Sequence, residues 1–159
     1  MKTLLSLLLT LLAFPVLATG PQLSPNAPKD KPQSVPLGQM STLEAAMAPY
    51  VAQARSTYPE ARSRFLAGLP IGQSFFVTAR LHDAYGMTEQ VFIAVSAIHK
   101  GMITGRIASQ IGHVSGYRFG DPYTFCESDL LDWLITHPDG SEEGNVVGKF
   151  LDTYQGDGA

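Results

Sequence analysis

The chain has 159 residues, of which 45% are hydrophobic and 16% are charged. That balance fits one globular core and excludes a mainly disordered chain. A formal charge of −3 gives no footing for nucleic-acid binding, and a single cysteine excludes an intrachain disulfide framework and any Cys-rich zinc site.

Residues 1–18 predict a removable export signal. Lys2 supplies a short positive start, and Thr3 to Leu17 is almost all apolar. Val16-Leu17-Ala18 places small or modest residues at the positions signal peptidase reads, so the cut is expected between Ala18 and Thr19. Pro15 breaks the run, which is shorter than the roughly 20 residues of a membrane span. An uncleaved anchor is the lesser reading, and no cysteine follows for lipid attachment. The mature chain is expected to be soluble, without a transmembrane segment, and periplasmic or secreted. Residues 19–40 carry Pro21, Pro25, Pro28, Pro32 and Pro36. Such a stretch joins neither a helix nor a strand ladder, and it predicts an extended, semi-rigid spacer that does not pack on the fold. It is either a tether or an ordinary disordered start. Residues 41–159 are expected to form one domain.

Ser41-x-x-Glu44 has the pattern of a capping box. Leu43, Met47, Tyr50, Ala54 and Tyr58 then recur at helical spacing. Pro49 and Pro59 predict two helical pieces, the second starting at Pro59, with a stop at Gly68 and Pro70. From Ser74 to His82 the period becomes two: Phe75, Val77, Ala79 and Leu81 alternate with Phe76, Thr78, Arg80 and His82. Gln90 to Ile98 predicts a central strand and Met102 to Ala108 a third, with Gly105 marking a bulge or a close approach. The turns at 83–86 and 99–101 are too short for parallel crossovers, so these strands are expected to form an antiparallel meander. Residues 109–122 are glycine-rich and predict one irregular strand around His113. Tyr123 to Cys126 predicts a short strand. Ser128 is placed to cap a helix through Ile135, with Trp133 as a core residue packed against the strand of Val91, Ile93 and Val95. Pro138-Asp139-Gly140 is a turn, and 139–144 reads as a solvated acidic loop. Val146, Val147, Phe150, Leu151 and Tyr154 fit a last short helix, with a strand as the alternative.

Several of these segments resemble a bacterial family of YegJ-like proteins, a domain of unknown function. The matching residues are Tyr58-Pro59-Glu60-Ala61-Arg62, Phe65-Leu66-Ala67-Gly68-Leu69-Pro70, Gly72-Gln73-Ser74-Phe75-Phe76-Val77, Glu89-Gln90-Val91-Phe92-Ile93, Gly105-Arg106-Ile107, Gly120-Asp121-Pro122, Asp132-Trp133 and Gly144. They span residues 58–154. The resemblance implies a small α+β domain: a curved antiparallel sheet with an N-terminal helix and a short C-terminal helical region. It implies no activity, substrate or catalytic residue. Where the family often closes with a Gly-Gly-Tyr-Thr-like segment, this chain reads Gly144-Asn145-Val146-Val147.

Charge is unevenly spread. Residues 41–120 hold seven basic residues against four acidic ones, whereas residues 121–159 hold nine acidic residues against Lys149 alone. Either the acidic segment faces a cationic partner, or it folds back beside the basic part. Of the four histidines His82, His99, His113 and His137, none lies in a zinc-protease spacing. A cluster of His82, His113 and a carboxylate is the lesser reading. Cys126 reads first as a buried apolar residue at a strand end, and otherwise as a nucleophile or an inter-chain partner. Neither a Gly-x-Ser-x-Gly elbow nor a phosphate loop occurs; Gly112-His113-Val114-Ser115-Gly116 lacks the lysine.

The preferred expectation is therefore a non-enzymatic binding module of the cell envelope, without a cofactor or metal, with an envelope protein or small ligand as partner. Arg106, His113, Tyr117, Arg118 and Trp133 are its candidate binding residues. The alternatives are a small hydrolase or transferase with a site assembled from Cys126, His113 and Glu89, and a structural or stress-protective envelope protein.

Overall fold

Alternating apolar residues need a sheet with a covered face, and the chain builds one of six strands. The computed structural model describes residues 27–28 and 40–154. Helix α1 spans Met40–Ala67 and is followed by strands β1 (Ser74–His82), β2 (Thr88–His99), β3 (Met102–Ile107), β4 (Pro122–Cys126), β5 (Asp132–Thr136) and β6 (Glu142–Gly144), then helix α2 (Val146–Thr153). The sheet order is β4-β3-β2-β1-β5-β6, and every pairing is antiparallel. The chain runs as a meander to β4, then crosses the sheet to place β5 beside β1. This is the expected α+β architecture, and β1 has the expected bounds. The β2–β3 turn closes through Lys100 and Gly101, both at positive φ, the geometry of a two-residue hairpin. Gly105 is a close approach: an added Cβ would lie 2.3 Å from the Ala94 carbonyl oxygen. The register of β2 slips between Val95 and Ala97, across from it.

Five expectations are corrected. Helix α1 is continuous, with Pro49 and Pro59 inside it. Both prolines are exposed, so the carbonyls they leave without an N–H partner turn toward water, and the buried stripe of Leu43, Met47, Ala54, Tyr58 and Ala61 stays unbroken. Ser41 lies inside the first turn rather than before it, and Glu44 pairs with Arg80 at 3.0 Å. Residues 109–121 form no strand; they are a loop. The segment 128–135 is not a helix. A 3-10 turn at Glu127–Asp129 leads into β5, and residues 142–144, expected as part of a solvated turn, pair with β5 as β6. All five residues of β5 are buried. A run apolar on both faces fits an interior strand as well as it fits a helix, and here position within the sheet decides.

Trp133 is in the core, 8% exposed, by a different route than expected. It pairs with Val77 across β1–β5 and lies beneath α1, with β1 between it and β2. Its indole N–H donates to the Ala54 carbonyl at 3.1 Å and to Thr57 Oγ1 at 3.0 Å. Gly144 crosses directly over it: an added Cβ there would meet the Trp133 carbonyl oxygen at 2.3 Å and the ring at 3.0 Å. Its neighbour Asp132 is buried and accepts the N–H of Val147 at 2.6 Å and of Trp133 at 2.8 Å. A side chain from β5 thus serves the N-terminus of α2, whose own N-cap residue Asn145 makes no side-chain cap bond. Leu43, Met47 and Val147 then lock α2 to the first half of α1, with Tyr50 stacked on Phe150 at 4.3 Å.

The even-numbered residues of β1 and β5 face the opposite side of the sheet. Phe76 and Leu134 are fully buried there, with Ala108 beside them. Ala27 packs against this cluster and Pro28 is buried. These two residues belong to the segment expected to be an unpacked spacer, so at least this part of it packs on the fold. The remainder of that segment and the export signal, with its Ala18/Thr19 cut, lie outside the described residues.

Two predictions follow from the Trp133 corner. Trp133→Ala empties a large aromatic site and strands its helix partners, at a cost of about 3–5 kcal/mol against a total stability of roughly 5–15 kcal/mol. Urea unfolding should show a much lower midpoint than the parent, and a matching midpoint would overturn the packing described here. For Asp132, burial raises the carboxyl to about 6 against the pull of the Trp133, Val147 and Gly148 N–H groups. Because the folded chain holds this proton more tightly than the unfolded chain, its contribution is full below the ordinary aspartate range and is lost as pH rises through about 6. Carbon-detected NMR of the Asp132 carboxyl should find a midpoint near 6; an ordinary aspartate midpoint would show that the N–H donors prevail.

Candidate functional site

Four of the five candidate binding residues lie in or beside one loop at one end of the sheet, with Arg106 on the face of Ala94 and Tyr117 on the opposite face with Tyr123. The loop 109–121 joins β3 to β4 there, beside the β1–β2 turn. It has a packing duty: Val114 is buried, and Ile111 and Tyr117 pack on the same core cluster as Ile103, Ile107 and Phe125. The α1 side of that core is covered by Ala54, Tyr58 and Ala61.

Two carboxylates hold the loop through its backbone. Glu89 on β2 accepts the N–H groups of Gly112 (2.9 Å), His113 (2.8 Å) and Val114 (3.1 Å). Asp83, in the β1–β2 turn, accepts that of Ser115 at 3.0 Å, and its other oxygen takes the N–H groups of Tyr85 and Met87. Four consecutive amides, 112 to 115, therefore point at two carboxylates. Desolvation pushes Glu89 up, but the three N–H donors and the nearby His113 ring reverse this and hold it below the usual glutamate range. Asp83 is held low by the Ser115 N–H first, and by the other backbone donors of its turn, despite a desolvation cost. Both stay ionised at neutral pH and are occupied by the loop. The Tyr117 hydroxyl adds a bond to the His82 carbonyl at 2.9 Å, and its ring meets Tyr123 edge-on at 6.1 Å. Arg106 donates to the Gly120 carbonyl at 3.0 Å, and Asp121 accepts the Arg118 N–H.

Apart from Ile111, Val114 and Tyr117, which pack inward, the larger side chains of this loop face outward. His113, Arg118, Phe119 and Arg106 are exposed, as are His82 and Met87. Tyr85 is 82% exposed and Phe119 45%. This end of the sheet presents aromatic and cationic groups on a fixed frame. Trp133, the fifth candidate, is elsewhere, beneath α1.

The hydrolase constellation does not assemble. Glu89 and His113 are together, but Cys126 pairs with Met102, which pairs with His99 at the far end of β2. Ten residues of strand separate His99 from Glu89, roughly 30 Å. Cys126 is also exposed rather than buried, its thiol 3.7 Å from the Met102 sulfur. Among the described residues no group of three or more His, Cys, Asp and Glu side chains is placed to hold a metal ion.

A second feature was not legible in the sequence. An open cavity of about 320 Å³ lies between α1 and the 3-10 turn, lined by Arg55, Tyr58, Pro59, Arg62, Glu127, Ser128 and Leu130. Its polar groups satisfy one another: Tyr58 Oη and Arg62 Nε both donate to Glu127 Oε1, at 2.7 and 2.6 Å, and Arg55 Nε donates to the Leu130 carbonyl. Burial and the Glu127 carboxylate raise the Tyr58 hydroxyl well above the usual tyrosine range, so it acts as a donor and not as a base. Farther along α1, Arg64 grips Glu143 through two bonds, at 2.6 and 2.8 Å, and His137 adds a third at 2.8 Å. Glu143 is held down to about 2, chiefly by Arg64. The basic residues of α1 thus meet the acidic C-terminal segment within the fold.

No protein-family model matches the chain, and no solved structure matches it. Over 81 residues it is 28% identical to the protein described as "Uncharacterized protein YegJ" of Escherichia coli (strain K12). That stretch is 51% of this chain and 52% of the relative, so the chain spans about half the length of the curated relative it matches. The similarity supports a YegJ-like family whose function is uncharacterised.

Replacing Glu89 by alanine should free three loop amides at once. At a net 0.5–1.5 kcal/mol per hydrogen bond, hydrogen exchange at Gly112, His113 and Val114 is expected to quicken by about tenfold or more, with strands β1 and β2 still protected. Unchanged exchange at these amides would show that the carboxylate does not hold the loop.

Proposed function

We propose that this YegJ-like chain is a non-enzymatic binding module of the bacterial cell envelope, with the loop 109–121 and the β1–β2 turn as its recognition surface. The observation that carries the reading is the fourfold amide clasp by Glu89 and Asp83. A loop already ordered before binding loses little conformational freedom on association, and aromatic and arginine side chains are the usual anchors of interfaces. Arg118, Phe119, His113 and Tyr85 supply such groups. An acidic or mixed polar–aromatic partner surface fits them. The export reading rests on Lys2, the apolar run and Val16-Leu17-Ala18.

A photo-crosslinking residue at position 119 tests the reading, with the same group at exposed Gln53 on α1 as control. In an envelope extract, position 119 is expected to give a discrete adduct that Arg118→Glu weakens and that Gln53 does not give. Equal labelling from both positions, or none, would sink the proposal. The intact mass of the same chain recovered from the periplasm should correspond to a start at Thr19; retention of residues 1–18 in a membrane fraction would defeat the export part.

A further inference from the structure

We infer that the even-numbered face of the sheet is a docking surface for an extended, proline-rich segment, and that its occupant is this chain's own segment 19–39. The face is defined by β1 and β5, where Phe76 and Leu134 point away from Trp133 and Val77. Both are 0% exposed, and Ala108 beside them is 6% exposed. Phe92 and Ala94 of β2 extend the patch. Among the described residues, the apolar contact that comes from outside β1, β2, β5 and the end of β3 is Ala27, and the next residue, Pro28, is buried. A contact made so far from the start of α1 along the chain is not a by-product of helix packing.

The chemistry of the segment fits the face. Pro21, Pro25, Pro28, Pro32 and Pro36 recur every three or four residues. Proline has no amide to give, so the segment is unsuited to adding a strand at an edge. It suits a polyproline-type extended conformation, which loses little entropy on docking and rests its rings on aromatic surface. Phe76 and Phe92 provide that surface. Reach is sufficient: the twelve steps from Pro28 to Met40 span up to about 40 Å when extended, the length of β2. Tethering also keeps the local concentration of the segment high, so a modest intrinsic affinity is enough for occupancy. The face is therefore a docking surface distinct from the loop 109–121, with the segment 19–39 as its one occupant.

The test compares the mature chain (Thr19 onward) with a variant beginning at Leu37, and adds a synthetic peptide of residues 19–36 in trans. Removal is expected to lower Tm by about 4 °C or more and to raise the fluorescence of an apolar-surface dye several-fold. The peptide is expected to reverse both changes. A deletion variant with the parent's Tm and dye binding overturns the proposal. So does a lowered Tm that millimolar peptide does not restore, because the segment is then a fixed part of the core. A deletion variant that keeps its Tm by dimerising, as read by sedimentation, assigns the face to a second copy and also overturns it. Should the deletion variant not fold, Ala27→Asp in the full mature chain serves in its place, with Gln22→Asp as control. A lower Tm for Ala27→Asp alone that the 19–36 peptide restores supports docking; equal values for the two variants, or a loss the peptide does not restore, overturn it.

Discussion

The indole of Trp133 ties together the parts of this fold that are far apart in sequence. Its strand pairs with β1, its N–H reaches a carbonyl in the middle of α1, and Gly144 passes across its ring. A buried indole N–H needs a partner, so α1 is fixed in rotation over the sheet as well as in position. The adjacent Asp132 then anchors α2 by its backbone N–H groups. Two consecutive residues therefore connect the sheet to both helices. Without a glycine at 144, β6 would not approach closely enough to complete this corner.

The residues that resemble the YegJ-like pattern take on a physical meaning in this light. Asp132-Trp133 and Gly144 form the corner just described. Gly105 lies against the β2 backbone. Gly120, at positive φ, and Asp121 close the loop onto β3: Gly120 N–H donates to the Ile107 carbonyl, and Ile107 N–H donates to that of Asp121. Each is a place where backbone approaches backbone or a buried terminus needs an acceptor. The pattern describes a fold, and the exposed loop side chains Arg118 and Phe119 are outside it.

Charge follows the same logic. The excess of acid in residues 121–159 and of base in 41–120 does not create two opposed outer faces. Arg62 and Arg64 of α1 meet Glu127 and Glu143, and Asp83 and Glu89 are spent on loop amides. Partly exposed pairs of this kind add little stability individually. Their effect is on geometry: they set where α1 lies relative to β6 and how rigidly the loop is held.

Local pattern alone determined the helix-rich start, the period-two strand β1, the strands β2 to β4 and the meander, and it narrowed the last element to a short helix or a strand and Gly105 to a bulge or a close approach. In each, neighbours in sequence are neighbours in space, so spacing carries the information. Only the tertiary structure decided that residues 132–136 are an interior strand, since Leu130, Leu131, Trp133, Leu134 and Ile135 suit burial on either a helix or a doubly covered strand. It also decided that α1 continues through two prolines, both of which face solvent, and that Cys126 of β4 lies level with the end of β2 farthest from Glu89. The clasp of four loop amides by Asp83 and Glu89 was equally out of reach of the sequence. A carboxylate's partner there is a backbone group more than twenty residues away, and backbone amides leave no mark in the order of side chains.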